Sequence, residues 1–299
     1  MAWMETAVRG LRGGLCALTV AVAIASCGGR HPTAIVPVPT PVATNPADLR
    51  YPLDAYELTP RQAAERDYLG QRFERACMRR FGFDFLPGLS NDVDRATATA
   101  KEFSSRRYGI TALPIAKVYG YGLSPTTTGT AAPQSADSLP RPEVAVLTGQ
   151  AHGAPAGGCV GEAARTVGTS LVSDADARTV AQIGQDAFLH AKSDRRVRAV
   201  FAAWSRCMAR KGYSYSDPFR AAGDPRWQGK NAAPSALELA VAHADISCKA
   251  ATNLVGITFA VEADYQNAAV AKNATTLARV RKELAAQAGT LEALLKARR

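Results

Sequence analysis

The chain of 299 residues is 47% hydrophobic and carries 36 Lys and Arg against 26 Asp and Glu, a formal charge of +10. That length suffices for one large domain or two small ones. In a cytosolic protein such a basic excess would suit nucleic acid, but the first residues exclude that compartment.

Residues 1–26 hold Arg9 and Arg12 followed by the apolar run "LCALTVAVAIAS", the layout of a secretory signal peptide. The run is too short to span a bilayer, which needs roughly 20 residues. It ends in "IASCGG", Ile24 to Gly29, which resembles a lipobox: an aliphatic residue, two small residues, then Cys. The resemblance implies that Cys27 carries a thioether-linked diacylglycerol and becomes the mature first residue. Two acyl chains anchor stably where one would not. The expected location is therefore the outer face of the cytoplasmic membrane, with diacylglycerol on Cys27 and no other cofactor.

Residues 27–52 read as a tether, because Gly28 to Pro46 is rich in Pro, Thr and Val and should be extended, without a core of its own. His31 is a solvated residue in it. Outside the membrane the counter-charges for a basic chain are anionic lipid headgroups and acidic wall polymers rather than nucleic acid. Another envelope protein is the remaining expected partner.

A first helical unit is expected over 53–172. "TPRQAAERDYLGQRFERACMRRFG" places Thr59 as N-cap and Pro60 at the first helical position, with apolar residues recurring at three and four. "SNDVDRATATAKEFSSRR" reads as a second helix capped near Ser90 or Asn91. The Pro, Gly, Ser and Thr content then rises, and a long loop insertion is expected over about 120–158. In "VYGYGLSP", Tyr119 and Tyr121 lie between glycines, as a tight turn with inward rings or an exposed sugar-stacking edge.

A second unit is expected over 173–299. "DADARTVAQIGQDAFLHAKS" and "SDRRVRAVFAAWSRCMARKG" are helices, the latter with Ser193 as N-cap, and a connector holds Trp227. A long C-terminal helix should run from Pro234 nearly to Arg299, kinked near Gly256 and Asn273. Its Leu277, Val280, Leu284, Leu291 and Leu294 follow a heptad-like spacing, which suits packing on the other helices or a protruding arm. The fold class expected is mainly α: a disulfide-braced helical domain of two divergent Cys-Met-x-Arg-x-Gly units with a long C-terminal helix.

Cys16 departs with the leader and Cys27 takes the lipid, which leaves Cys77, Cys159, Cys207 and Cys248. Four cysteines in an oxidising compartment read as a disulfide framework with three possible pairings. "CMRRFGFDF" and "CMARKGYSY" make Cys77 and Cys207 equivalent, and "GGCVGEAARTVG" and "DISCKAATNLVG" make Cys159 and Cys248 equivalent. Duplicated units usually close on themselves, so Cys77 is expected to join Cys159, and Cys207 to join Cys248. In each copy a helix should end at Gly82 or Gly212. Phe83 and Phe85, or Tyr213 and Tyr215, then alternate, so that both rings share one side: folded back on the helix, or forming an aromatic surface for sugar or lipid.

The chain lacks H-E-x-x-H, G-x-S-x-G, the phosphate-cradling glycine loop and the dinucleotide fingerprint. His152 falls in a flexible stretch, and His190 and His243 fall in helices. No spacing suggests a metal. Glu162, beside the loop, reads as a solvated helix residue. No catalytic residue is assigned.

The lipobox, the Pro/Thr tether, "CMxRxG" with alternating aromatics, "RRYGI" with a following "YGYGL", and a distal Cys together resemble a family of uncharacterised lipoproteins of high-GC Gram-positive bacteria. The resemblance covers most of the mature chain. It supports the address and the disulfide pairing, and it implies no activity, catalytic residue or ligand. The expected function is a non-catalytic binding module at the envelope. The alternatives are a ligand-binding accessory of a transporter or sensor, and a cell-wall hydrolase.

Overall fold

Helix after helix follows from capping residues and apolar spacing: α1 (Pro60–Arg80), α2 (Val93–Ser105), α3 (Leu113–Tyr119), α4 (Arg141–Thr148), α5 (Gly158–Thr166), α6 (Asp174–Ser193), α7 (Arg195–Arg210), α8 (Pro218–Ala222), α9 (Ala236–Thr252), α10 (Leu254–Lys272) and α11 (Ala274–Lys296). The structure is a computed structural model that describes residues 37–84, 92–124, 139–227 and 233–297. The leader, Cys27, His31 and Phe85 lie outside the described residues, as do 125–138 of the expected insertion. Residues 35–299 form one compact unit. It is mainly helical, with no strand among the described residues.

The two Cys-Met helices end alike. In α1 the N–H of Phe83 reaches the Met78 carbonyl at 3.1 Å and that of Gly82 reaches Arg79 at 3.0 Å. In α7 Tyr213 bonds Met208 and Gly212 bonds Ala209, both at 3.0 Å. Both glycines have positive φ, +83° and +86°, the left-handed turn that lets the last carbonyls find donors. Thr59 and Gln62 form the reciprocal cap at the other end of α1.

α10 is apolar almost all round and forms the axis of the body, with α6, α7 and α9 packed on it. The main core gathers Trp204 and Met208 of α7, Tyr108 of the loop after α2, Val241 of α9, and Leu254, Val255 and Val261 of α10. Each such large side chain contributes roughly 1.5–3 kcal/mol by leaving water. The Cys207–Cys248 disulfide lies inside this core, joining α7 to α9 with Cα atoms 5.7 Å apart. The Cys77–Cys159 disulfide joins α1 to α5 at 5.5 Å, in a satellite cluster with Met78, Val146 and Leu147.

Several expectations are corrected. The proposed insertion contains α4, whose Val146 and Leu147 are buried on the first disulfide. Pro142 early in α4 and a short apolar stretch make a helix that the surrounding Pro and Gly content hides. The long C-terminal helix is three helices. The first break is at Asn253, in the left-handed conformation at φ +49°, rather than at Gly256. The second is at Asn273, whose amide donates to the Ala269 carbonyl at 2.8 Å. α11 packs along the body, with Leu277 and Val280 against Leu53, Val180 and Ile183, and Leu291 against Leu69 and Val167. Asp194 caps α7 in place of Ser193, whose hydroxyl bonds back to Leu189 inside α6. Asp92 caps α2, one residue beyond the predicted pair.

The tether also differs. Over residues 37–45 it is free of helix but docked as a strap on α9 and α10, and a 3-10 turn follows at Pro46–Asp48. The N–H of Val38 donates to Asp264 Oδ1 at 2.7 Å, that of Ala43 donates to Asn253 Oδ1 at 3.2 Å, and Asn253 Nδ2 donates to the Pro41 carbonyl at 2.9 Å. Val38, Ala43 and Leu49 pack on the main core. A Cβ at Gly256 would overlap the Pro41 carbonyl oxygen, so only glycine admits the strap there. The prolines contribute no N–H groups, so few donors need partners, and side chains supply them.

Candidate functional site

α7 is amphipathic. Val197, Val200, Phe201, Trp204 and Met208 turn into the core, and Arg198, Ala202, Ser205 and Arg206 share another face at helical spacing. Small Ala202 and Ser205 between two arginines leave an open cleft of about 950 Å³. The end of α6 adds Lys192, and α8 adds Phe219 and Arg220. Lys192 Nζ sits 4.3 Å from the centre of the Phe219 ring, which holds the ammonium over an aromatic face.

Arg198, Arg206 and Arg220 are exposed, and their guanidinium groups make no hydrogen bond or ion pair among the described residues. The acid in the cleft, Asp217, is occupied as the cap of α8. Its Oδ1 accepts the N–H groups of Phe219 and Arg220 at 3.0 Å each, and its Oδ2 accepts the Ser216 hydroxyl at 3.0 Å. The result is a concave patch with four cations and one engaged carboxylate. Unpaired guanidinium forks in such a setting match the oxygens of phosphate or carboxylate groups.

A second set of charges is buried and paired. Asp245 and Lys249 lie one turn apart on α9, both out of solvent, with Nζ 3.0 Å from Oδ2. Lys249 also donates to the Ile110 carbonyl at 2.8 Å, while Asp245 accepts the Trp204 indole N–H at 2.9 Å and the Tyr121 hydroxyl at 3.2 Å. Burial pushes the Asp245 carboxyl up and the Lys249 amine down, and each partner opposes the shift of the other.

On α10 fully buried Glu262 takes a bidentate contact from Arg107 and a 2.8 Å bond from the Tyr108 hydroxyl. Burial works against the Arg107 charge, and Glu262 outweighs it, so the guanidinium is held above its ordinary value. Glu238 Oε1 accepts the N–H of Tyr121 at 2.9 Å. These contacts tie "RRYGI" and "YGYGL" to the body. A Cβ at Gly109 would come within 2.8 Å of Lys249 Nζ, and one at Gly120 would overlap the Glu238 carboxylate.

Beside Arg107 a smaller depression of about 370 Å³ is lined by Tyr51, Asp54, Glu57, Phe188, Gln185 and Gln266, among others. Buried Glu262 and Asp245 are each matched by a cation within the body rather than paired across a cleft.

The named aromatic residues do not gather into one surface. Phe83 is half-buried on the first disulfide cluster, and Tyr213 and Tyr215 on the main core. Tyr121 stacks on Trp227 with ring centres 5.4 Å apart, and Tyr119 is half-buried at the end of α3. Glu162 pairs with Arg80 at 2.6 Å across the first disulfide, and its Arg80 hydrogen bond lowers its carboxyl below the usual range. His190 stacks on Tyr265, and His243 is exposed. No group of three His, Cys, Asp or Glu among the described residues could hold a metal, and no described helix is long and apolar enough to cross a membrane.

The sequence reading missed Lys192, Arg198, Arg206 and Arg220. The signal was present: two arginines eight apart on one face of a helix whose opposite face is wholly apolar. Comparison of the chain with protein-family models, curated proteins and solved structures finds no match.

Proposed function

We propose that this chain is a lipid-anchored, extracytoplasmic, non-catalytic binding module that engages anionic groups of the cell envelope. The diacylglycerol on Cys27 holds it at the outer face of the cytoplasmic membrane, and the cleft around Arg198, Arg206, Arg220 and Lys192 is its binding surface. The observation that carries this is that three exposed guanidinium groups have no partner among the described residues, around a concave patch whose one acid is occupied as a helix cap. Two disulfides suit an oxidising compartment. The matching glycine-capped ends of α1 and α7 support descent of the two Cys-Met-x-Arg-x-Gly copies from one unit.

Cys27→Ser should release the protein from the membrane fraction of cells, and unchanged association would overturn the anchor. Purified protein should bind a soluble polyanion with an affinity that falls steeply with salt. Arg198→Gln with Arg206→Gln and Arg220→Gln should weaken binding about tenfold or more, at roughly 0.5–1 kcal/mol per lost contact at an exposed site. Unchanged binding would overturn the cleft.

A second reading, a solute-binding accessory, is favoured by the depression beside Arg107, where a guanidinium lies between the Tyr51 and Phe188 rings.

A further inference from the structure

The strap and the basic cleft meet at one end of α7. Asp264 receives the Val38 N–H on Oδ1 and Arg196 Nη1 on Oδ2, at 2.7 and 2.8 Å. Arg196 in turn grips Asp194, which also accepts the Tyr265 hydroxyl at 3.2 Å. The strap is thereby pinned at the α6–α7 junction. Lys192 precedes that junction, and Arg198 lies two residues past Arg196, about 3 Å along the helix axis. The strap's pin and the cleft therefore share the N-terminal end of α7, through Arg196 and Arg198.

We infer that the cleft binds the phosphate-bearing headgroups of the leaflet to which the protein is anchored. The inference rests on the lipid anchor proposed above. Cys27 lies eleven residues before Val38 in sequence, a stretch that even fully extended reaches about 36–40 Å. Such a short link confers an effective concentration on the order of millimolar on a second, weak contact with the same surface. A cleft at the pinned end is then offered to anionic headgroups continuously, whereas wall polymer must diffuse to it. Charge attraction dies within about 8 Å at physiological salt, so the match between tether exit and cleft position determines whether the contact forms.

The mature lipidated protein, reconstituted in vesicles, tests this. A fluorophore is placed on Ala202→Cys in the cleft or on Ala286→Cys of α11, and quenching by a quencher carried on the lipid is read. In vesicles containing phosphatidylglycerol the Ala202 probe should be quenched several-fold more than the Ala286 probe. In pure phosphatidylcholine, or with Arg198→Gln, Arg206→Gln and Arg220→Gln combined, the difference should vanish. The guanidinium groups of these arginines have no partners among the described residues, so the variant should keep its fold, which circular dichroism checks.

Equal quenching at both probes in anionic vesicles, with the protein retained, overturns the assignment of the cleft to headgroups. Displacement of the Ala202 probe by soluble poly(glycerol phosphate) at matched phosphate concentration also overturns it, in favour of a wall polymer. Loss of the protein from neutral vesicles overturns the anchor itself and the tether argument with it.

Discussion

Replacing Lys249 with Met removes the ammonium that faces Asp245 at the centre of the body and keeps most of the volume of the stem. Asp245 retains the Trp204 indole at 2.9 Å and the Tyr121 hydroxyl at 3.2 Å, and the Ile110 carbonyl loses its donor. Breaking a buried pair from one side costs about 3–5 kcal/mol, and the surviving donors put the expected loss near the lower end, about 3–4. For a domain of this size that lowers Tm by about 6–16 °C.

The loss should depend on pH. Burial raises the Asp245 carboxyl, and without Lys249 nothing cationic opposes it. A carboxyl raised in the folded state stabilises the fold fully below its unfolded value of about 4, and that stability disappears as pH rises through the folded value. The deficit of Lys249→Met should therefore shrink as pH falls from neutrality toward about 4, and adding Asp245→Asn should recover much of it at neutral pH. Urea unfolding at the two pH values, with disulfides intact, measures this. A loss under about 1 kcal/mol, or one equal at both pH values, would refute an energetically important buried pair.

Cys207→Ala and Cys248→Ala should each cost about 4 kcal/mol by chain entropy and the double variant little more, and additive losses in urea titrations would contradict the pairing. Gly120→Ala forces a side chain to φ +56° and into the Glu238 carboxylate, and should cost about 2–3 kcal/mol. Gly70→Ala, in open space within α1, should instead stabilise by about 0.5–1 kcal/mol, and thermal melts compare the two. Asn253→Gly keeps the left-handed turn but drops both strap bonds, so protease cleavage within 37–45 should rise while global stability changes by about 1–2 kcal/mol. Unchanged cleavage would show that Asn253 does not hold the strap.

Helix existence was legible because capping pairs and apolar spacing are local. Thr59 with Gln62, and the glycines at 82 and 212, could be read from a few neighbouring residues. Repetition of the Cys-Met motif supplied the disulfide pairing, a long-range fact that local pattern rarely gives. What stayed hidden depended on partners distant in sequence. Nothing near Val38 announces Asp264, so a proline-rich strap looks like a free tether. Asn253 resembles any helical asparagine until Ala43 and Pro41 are placed against it. α4 was masked by the turn residues around it, although Val146 and Leu147 find the first disulfide. Asp245 and Lys249, four apart on a helix, carry no local sign of burial, because their burial is set by Trp204 and Ile110 rather than by their own neighbours. The glycines of "RRYGI" and "YGYGL" gave no sign of the charged groups, Lys249 and Glu238, that lie against them.

The strap also fixes an order of events. Val38 and Asp264 are separated by 226 positions, and Asn253 is 210 from Ala43. The segment that leaves the ribosome early therefore has no docking site until α9 and α10 have followed and packed. The earliest part of the body to emerge is the last to lock. Until then the Asn253 amide and the backbone of Gly256 lack the strap that covers them. Covalent linkage of the strap to the body raises its local concentration and so favours closure within the chain over exchange between chains.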